Sequence, residues 1–156
     1  MFKKILVSYD GSEPSIRAVE QAVELAVICE ASLEILQIVG EPEESTAAFE
    51  TAARQAMVIE DPNAEEEYDN RYIEAAIDDA VEATKDLVKP IDDANLDLEY
   101  TVMIGDPKEM ISKHINAGDY DLVVMGRRGL GAFKGLIGSV SQRVLRDVKA
   151  PVMLIR

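Results

Sequence analysis

The chain has one cysteine and one histidine in 156 residues. Cys29 alone excludes an internal disulfide, and it reads as a small core hydrophobe, as unpaired thiols usually are. With no cluster of cysteines and histidines, a zinc site has no ligand set. His114 lies between Ile111 and Ile115 on a predicted helix with no nucleophile motif nearby, so it reads as a structural histidine and not a catalytic base. No run of eighteen apolar residues occurs, so no helix of this chain is expected to span a membrane. The N-terminal Met-Phe-Lys-Lys-Ile-Leu-Val reaches the acidic Asp10 too soon for a signal peptide and reads as a first strand, which predicts a cytoplasmic protein. There is no Gly-Lys-Ser/Thr, hence no Walker loop, and no dinucleotide fingerprint follows the first strand. Internal repeats and low-complexity tracts are also missing.

Positive charge is scarce too. Sixteen Lys and Arg face thirty Asp and Glu, for a net charge of −14. Such a chain is repelled by nucleic acid and by anionic membranes, and its composition also suits a high-salt cytoplasm. The few cations are concentrated. Residues 122–156 hold seven of them and one acid, Asp147, for a net +6, which leaves −20 on residues 1–121. A basic segment in an acidic chain is a place for a small anion.

At 47% hydrophobic and the length of one ordinary domain, the chain can bury a core. Ile5-Leu-Val7 reads as a buried strand that ends at Asp10-Gly11-Ser12, and Ser12 and Pro14 start a helix running to about Glu30. Leu33–Val39 is a second strand. Residues 41–70 are the most polar stretch and read as an acidic insertion over one edge, with a short helix near Thr46–Val58 and Glu65–Glu67 as a solvated acidic face. Ile73, Ile77, Ala80, Thr84, Leu87 and Ile91 mark a long amphipathic helix. Leu96–Ile104 is a third strand. Asp106, Pro107 and Glu109 have the pattern of a capped helix start with a capping box. Leu122–Met125 is a fourth strand, Val140, Val144, Leu145 and Val148 mark a last helix, and Pro151–Ile155 is a fifth strand. Apolar strands alternating with helices predict a single-domain α/β fold: an open five-stranded parallel sheet with helices on both faces.

Between the fourth strand and the last helix lies the densest chemistry. Gly126, Gly129, Gly131, Gly135 and Gly138 put five of the nine glycines into thirteen residues, beside Arg127, Arg128 and Lys134. Glycines let backbone N–H groups approach a ligand, and the helix start at Ser139 adds unpaired donors and positive partial charge. Ser139 with Gln142 reads as a capping box, and Ser139 and Ser141 add hydroxyls. The combination predicts a phosphate cradle. In an open α/β sheet a ligand sits beyond the carboxyl ends of the strands where strand order reverses. The polar end of the first strand, Ser8-Tyr9-Asp10-Gly11, is therefore the partner of Met125-Gly126, with Asp10 as an acceptor for a base amine or a ribose hydroxyl.

The initial Asp-Gly-Ser, the Gly-Asp-Pro at 105–107, the glycine loop, Gly138-Ser-Val-Ser141 and Ala-Pro-Val at 150–152 together resemble the universal stress protein family of the ATP-binding kind, over essentially the whole chain. The resemblance implies a doubly wound, Rossmann-like fold of the adenine nucleotide alpha hydrolase kind. It implies that ATP is bound for a stress-response or regulatory role, with at most slow hydrolysis. On it, Ser8, Tyr9, Asp10 and Ile38 line the adenine, Met125 and Gly126 meet the ribose, and Gly129, Gly138, Ser139, Val140 and Ser141 hold the phosphates. Arg127 or Arg128 is a further phosphate donor by charge. A magnesium or manganese ion would accompany the phosphates, although no carboxylate marks its place. The resemblance also implies a homodimer through Val152–Ile155, an edge strand too apolar to be left open. The family's spacing is glycine, two residues, glycine, nine residues, Gly-Ser/Thr, and here only eight residues separate Gly129 from Gly138. That difference keeps open an interaction module of the same fold that does not bind ATP. An adenylyl-transferring enzyme is the third alternative, and the chain lacks the histidine or lysine motif it would need.

Overall fold

A computed structural model describes residues 1–40, 64–127 and 137–156. In these, strands and helices alternate: β1 (Lys4–Ser8), α1 (Glu13–Cys29), β2 (Ser32–Val39), α2 (Ala64–Ala94), β3 (Leu98–Ile104), α3 (Pro107–Ala117), β4 (Leu122–Gly126), α4 (Ser139–Asp147) and β5 (Val152–Ile155). The strands pair in parallel in the order β3-β2-β1-β4-β5. The expected five-stranded doubly wound sheet is therefore the architecture found. The chain moves outward from β1 to β3, then reverses to place β4 against the other edge of β1.

Side-chain alternation along the strands fills a core on each face. Ile5 and Val7 of β1, Leu33 and Ile35 of β2 and Val124 of β4 pack with Ala18, Val19, Ala22 and Val23 of α1 and Ala80, Val88 and Ile91 of α2. Leu6, Leu36, Val123 and Met125 pack on the other face with Ile111 and Ile115 of α3 and Val144 of α4. Ile5, Leu6 and Val7 have no exposed surface, as a central strand covered on both faces requires. Among the described residues no helix is long and apolar enough to cross a membrane.

The helix starts follow the predicted chemistry. Ser12 caps α1 by accepting from Ser15 N at 3.3 Å, with Pro14 in the first turn. Asp106 caps α3 by accepting from Lys108 N at 2.8 Å, with Pro107 as its first residue. Glu109 extends toward Lys113 at 3.9 Å, so the α3 cap rests on Asp106. Two boundaries differ from the sequence reading. Residues 64–70, read as the end of the insertion, are the first turns of α2, where a run of acidic residues suits the positive end of a helix. β3 begins at Leu98 and not Leu96, because Asn95 turns left-handed (φ 53°) and Leu96 N bonds back to Ile91 O at 3.2 Å. The rest of the insertion, with its predicted helix at 46–58, lies outside the described residues.

Leu6 has no exposed surface and sits at the centre of the sheet. Its truncation leaves a cavity that two paired neighbours keep from collapsing. Leu6→Ala is expected to lower unfolding free energy by about 2–5 kcal/mol, read as a reduced denaturant midpoint at unchanged slope.

Candidate functional site

The reversal of strand order opens a crevice at the carboxyl ends of β1 and β4. Ser8 is in register with Met125 across this pair, and Leu36 lies on the other side of Ser8. Beyond Ser8 the chain makes a tight polar turn. Tyr9 N donates to Leu36 O at 2.9 Å. Asp10 Oδ1 accepts from Ser12 N at 3.0 Å, and Asp10 N donates to Ser15 Oγ at 3.3 Å. Gly11 takes φ 76°, a conformation costly for any residue with a Cβ. The turn holds Asp10 exposed at the crevice with one carboxylate oxygen engaged by Ser12 and the other uncommitted by that bond.

Alternation divides the predicted base-lining residues between the two faces. Ile38 and Val140 pack with Met125, which is 3% exposed, on the α3/α4 face. Tyr9 packs into the core of the α1/α2 face at 7% exposure. The Tyr9 side chain therefore does not join Ile38 and Met125, and Tyr9 instead lines a cavity with Gly11, Gln37, Val39 and residues of α2. The reason is the period of two: odd-numbered positions of this strand point to α1 and α2.

The far wall is the end of β4 and the start of α4. Arg127 N donates to Ile155 O at 2.7 Å, and Gly138 N donates to Arg127 O at 2.8 Å, so the two ends of the glycine loop are tied together. Among the described residues the buried Arg127 Nε has no hydrogen-bond partner, an unusual state for a guanidinium nitrogen. Gly129 and Arg128, with the rest of 128–136, lie outside the described residues. The capping-box reading of Ser139 does not hold. Gly138 is the N-cap and makes no side-chain cap bond, and Gln142 Nε2 donates to Ile137 O at 3.2 Å. Ser139 is the first helical residue and is exposed. The first-turn amides of α4 thus face the crevice end of the sheet without a side-chain cap, a state that favours an anion. Ser141, by contrast, is buried, and its hydroxyl donates to Gly126 O at 3.0 Å.

His114 belongs elsewhere. Its Nε2 lies 2.7 Å from Glu34 Oε1, so that nitrogen carries the proton and donates. Glu34 is 4% exposed near the amino end of β2, and the Tyr120 hydroxyl donates to its Oε2. Tyr120 Oη also stands 3.0 Å from His114 Nε2, and Lys4 Nζ lies over the Tyr120 ring at 4.4 Å. Burial, together with the neighbouring Glu34, pushes the Tyr120 phenol up and keeps it a donor. Burial alone would raise the Glu34 carboxyl, but the bonds from Tyr120, Thr101 and His114 outweigh it and hold it low. This cluster joins β2, α3 and the turn before β4 at the opposite end of the sheet from the crevice. Sequence reading missed it, although a glutamate inside an apolar strand was the available sign, since a buried carboxylate needs partners.

Fold and crevice define a doubly wound α/β protein with an anion-favouring helix start at its switch point. The model of the universal stress protein family matches residues 1–156, and the chain belongs to that family. It is 34% identical over 164 residues to a universal stress protein of Thermus aquaticus, covering all of both chains. Among solved structures, a universal stress protein in complex with cAMP is similar at TM-score 0.63 and 22% identity, over 99% of this chain and 97% of that one. A universal stress protein of Archaeoglobus fulgidus in complex with dAMP is similar at TM-score 0.60 and 18% identity, over 99% and 98%.

The Glu34 carboxyl, held below the ordinary 4.5 in the folded state, stabilises the fold fully above that value, and the contribution is lost as pH falls through the lowered one. Glu34→Gln is expected to cost about 1–3 kcal/mol at neutral pH, and the gap from the unaltered protein should narrow as denaturation is measured at successively lower pH under 4.5.

Proposed function

We propose that the chain binds an adenine nucleotide, ATP in the first instance, in the crevice between β1 and β4, as a regulatory or stress-response protein with at most slow hydrolysis. The observation that carries this is the uncapped start of α4 beside the orphaned, buried Arg127 Nε, at the switch point of the sheet. A helix start without a side-chain cap and a guanidinium nitrogen without a partner are both satisfied by phosphate oxygens. The nucleotide complexes of two proteins of similar fold support an adenine ligand.

In this reading Asp10 accepts from the ribose or base, and Ser8, the Tyr9 backbone, Ile38 and Met125 border the base. Gly126 closes the ribose side. The N–H groups of Ser139 and Val140, the Ser139 hydroxyl, Arg127 and, from the loop, Gly129 take the phosphates, while Gly138, whose N–H is held by Arg127 O, and Ser141, whose hydroxyl is held by Gly126 O, border them. Magnesium or manganese would come with the phosphates. Among the described residues no group of three His, Cys, Asp or Glu could hold it, and the phosphate oxygens themselves would supply its ligands. Partial exposure of every residue of β5, an edge strand of Val, Met, Leu and Ile, supports pairing with a second copy. Light scattering should then give twice the 17.1 kDa chain mass.

The shortened spacing between Gly129 and Gly138 favours the second reading, an interaction module of the same fold with no nucleotide. Calorimetric titration of protein freed of carried-over ligand decides between them. Saturable ATP binding that Ser139→Ala weakens about tenfold is expected, the scale of one charge-assisted hydrogen bond. No heat of binding at millimolar ATP overturns the nucleotide reading.

A further inference from the structure

The two serines at the start of α4 are two residues apart, and the structure gives them opposite surroundings. Ser139 is exposed, and among the described residues its hydroxyl makes no hydrogen bond. Ser141 is 3% exposed, and its hydroxyl is spent on the Gly126 carbonyl at 3.0 Å. Gly126 is itself enclosed. A Cβ built on it would lie 3.0 Å from both the carbonyl carbon and Cβ of Pro14 and 3.1 Å from Ser15 N. The first turn of α1 therefore rests directly on the glycine. Next along the chain, Arg127 binds β5 through its N–H and the end of the loop through its carbonyl.

We propose that Ser141 and Gly126 are positioning residues and not ligands: the Ser141 hydroxyl fixes the start of α4 to the end of β4, and the bare Gly126 lets α1 close on the same point. The starts of α1 and α4 are thereby held at one fixed separation. Ser139 presents its hydroxyl to an anion, while the Ser141 hydroxyl stays on the Gly126 carbonyl. For the Ser141 hydroxyl to reach a phosphate it would have to leave the Gly126 carbonyl without its donor inside the protein, which costs about as much as the new bond returns.

The ligand half of this inference rests on the nucleotide reading above, and the test separates the two. Amide hydrogen exchange is measured without nucleotide on the unaltered protein, Ser141→Ala and Ser139→Ala, at Gly138 and Gln142, which are bonded to Arg127 O and Gly138 O. Stopped-flow release of a fluorescent ATP analogue is measured on the same three proteins. Ser141→Ala should speed exchange at these amides about tenfold, the factor carried by one lost hydrogen bond, and leave the release rate within about twofold. Ser139→Ala should do the reverse. Ser141→Cys, which keeps a weak donor, should fall between the unaltered protein and the alanine variant in exchange, and it serves if alanine does not fold. Unchanged exchange in Ser141→Ala, or release accelerated as much as in Ser139→Ala, overturns the proposal. If the unaltered protein binds no analogue, the nucleotide reading fails, and the exchange comparison alone still decides whether Ser141 positions α4.

Discussion

β1 is hydrogen-bonded along both edges, to β2 from Lys4 to Ser8 and to β4 from Ile5 to Ser8, and the crevice exists because of that double pairing. Parallel neighbours on both sides force the chain to leave β1 in one direction and come back in the other. The crossover helices then diverge to opposite faces. Ile5, Leu6 and Val7 make the arrangement stable by burying completely, alternately into one core and the other. Five residues thus set the register of β2 and β4 and the height at which Asp10 and Gly126 emerge. A slip of one residue would exchange the faces of Leu6 and Val7 and take Ser8 away from Met125.

A second constraint acts at the other end of the sheet. Glu34 occupies a position in β2 that its neighbours fill with apolar side chains, and its charge is kept by donors from three separate elements. A buried carboxylate with its bonds complete contributes little net stability compared with a well-packed apolar residue, but it tolerates very few arrangements of its partners. His114 and Tyr120 flank the α3–β4 turn, so satisfying Glu34 also fixes where α3 ends and β4 begins. α3 in turn packs beside α4, so the same bonds help place the helix whose start faces the crevice.

Much of this was legible in the sequence, and the parts that were not share a cause. Strand and helix order followed from apolar runs, from Ser12 and Asp106 as caps and from Pro14 and Pro107 as first-turn residues, all local signals. The pairing of the β1 and β4 ends followed from a general rule about parallel sheets. What local pattern could not supply was direction. Tyr9 sits between Ser8 and Asp10 in a polar turn, yet the alternation of the strand it extends sends its ring to the α1/α2 core. Ser139-Val-Ser-Gln142 has the letters of a capping box, but the helix begins one residue earlier than that reading needs, with Gly138 at the cap. Ser141 reads as a hydroxyl donor from composition, and only the fold brings the Gly126 carbonyl to it.

These differences change what the glycine-rich segment is for. From sequence, five glycines read as serving one purpose, close approach of backbone to an anion. In the fold, Gly126 is bare because Pro14 lies against it, and Gly138 N is occupied by Arg127 O. The two outer glycines of the segment are therefore joints that fasten the loop to α1, β4 and α4. On the nucleotide reading, the described donors left for a ligand are those of the first turn of α4. Such a division bears on the eight-residue spacing. The described ends of the segment are tied to each other by the 2.8 Å bond from Gly138 N to Arg127 O, which holds the helix start at the end of β4. The donors that α4 carries therefore keep a place fixed by the sheet and not by the length of the loop, and on the nucleotide reading they are the ones a phosphate meets.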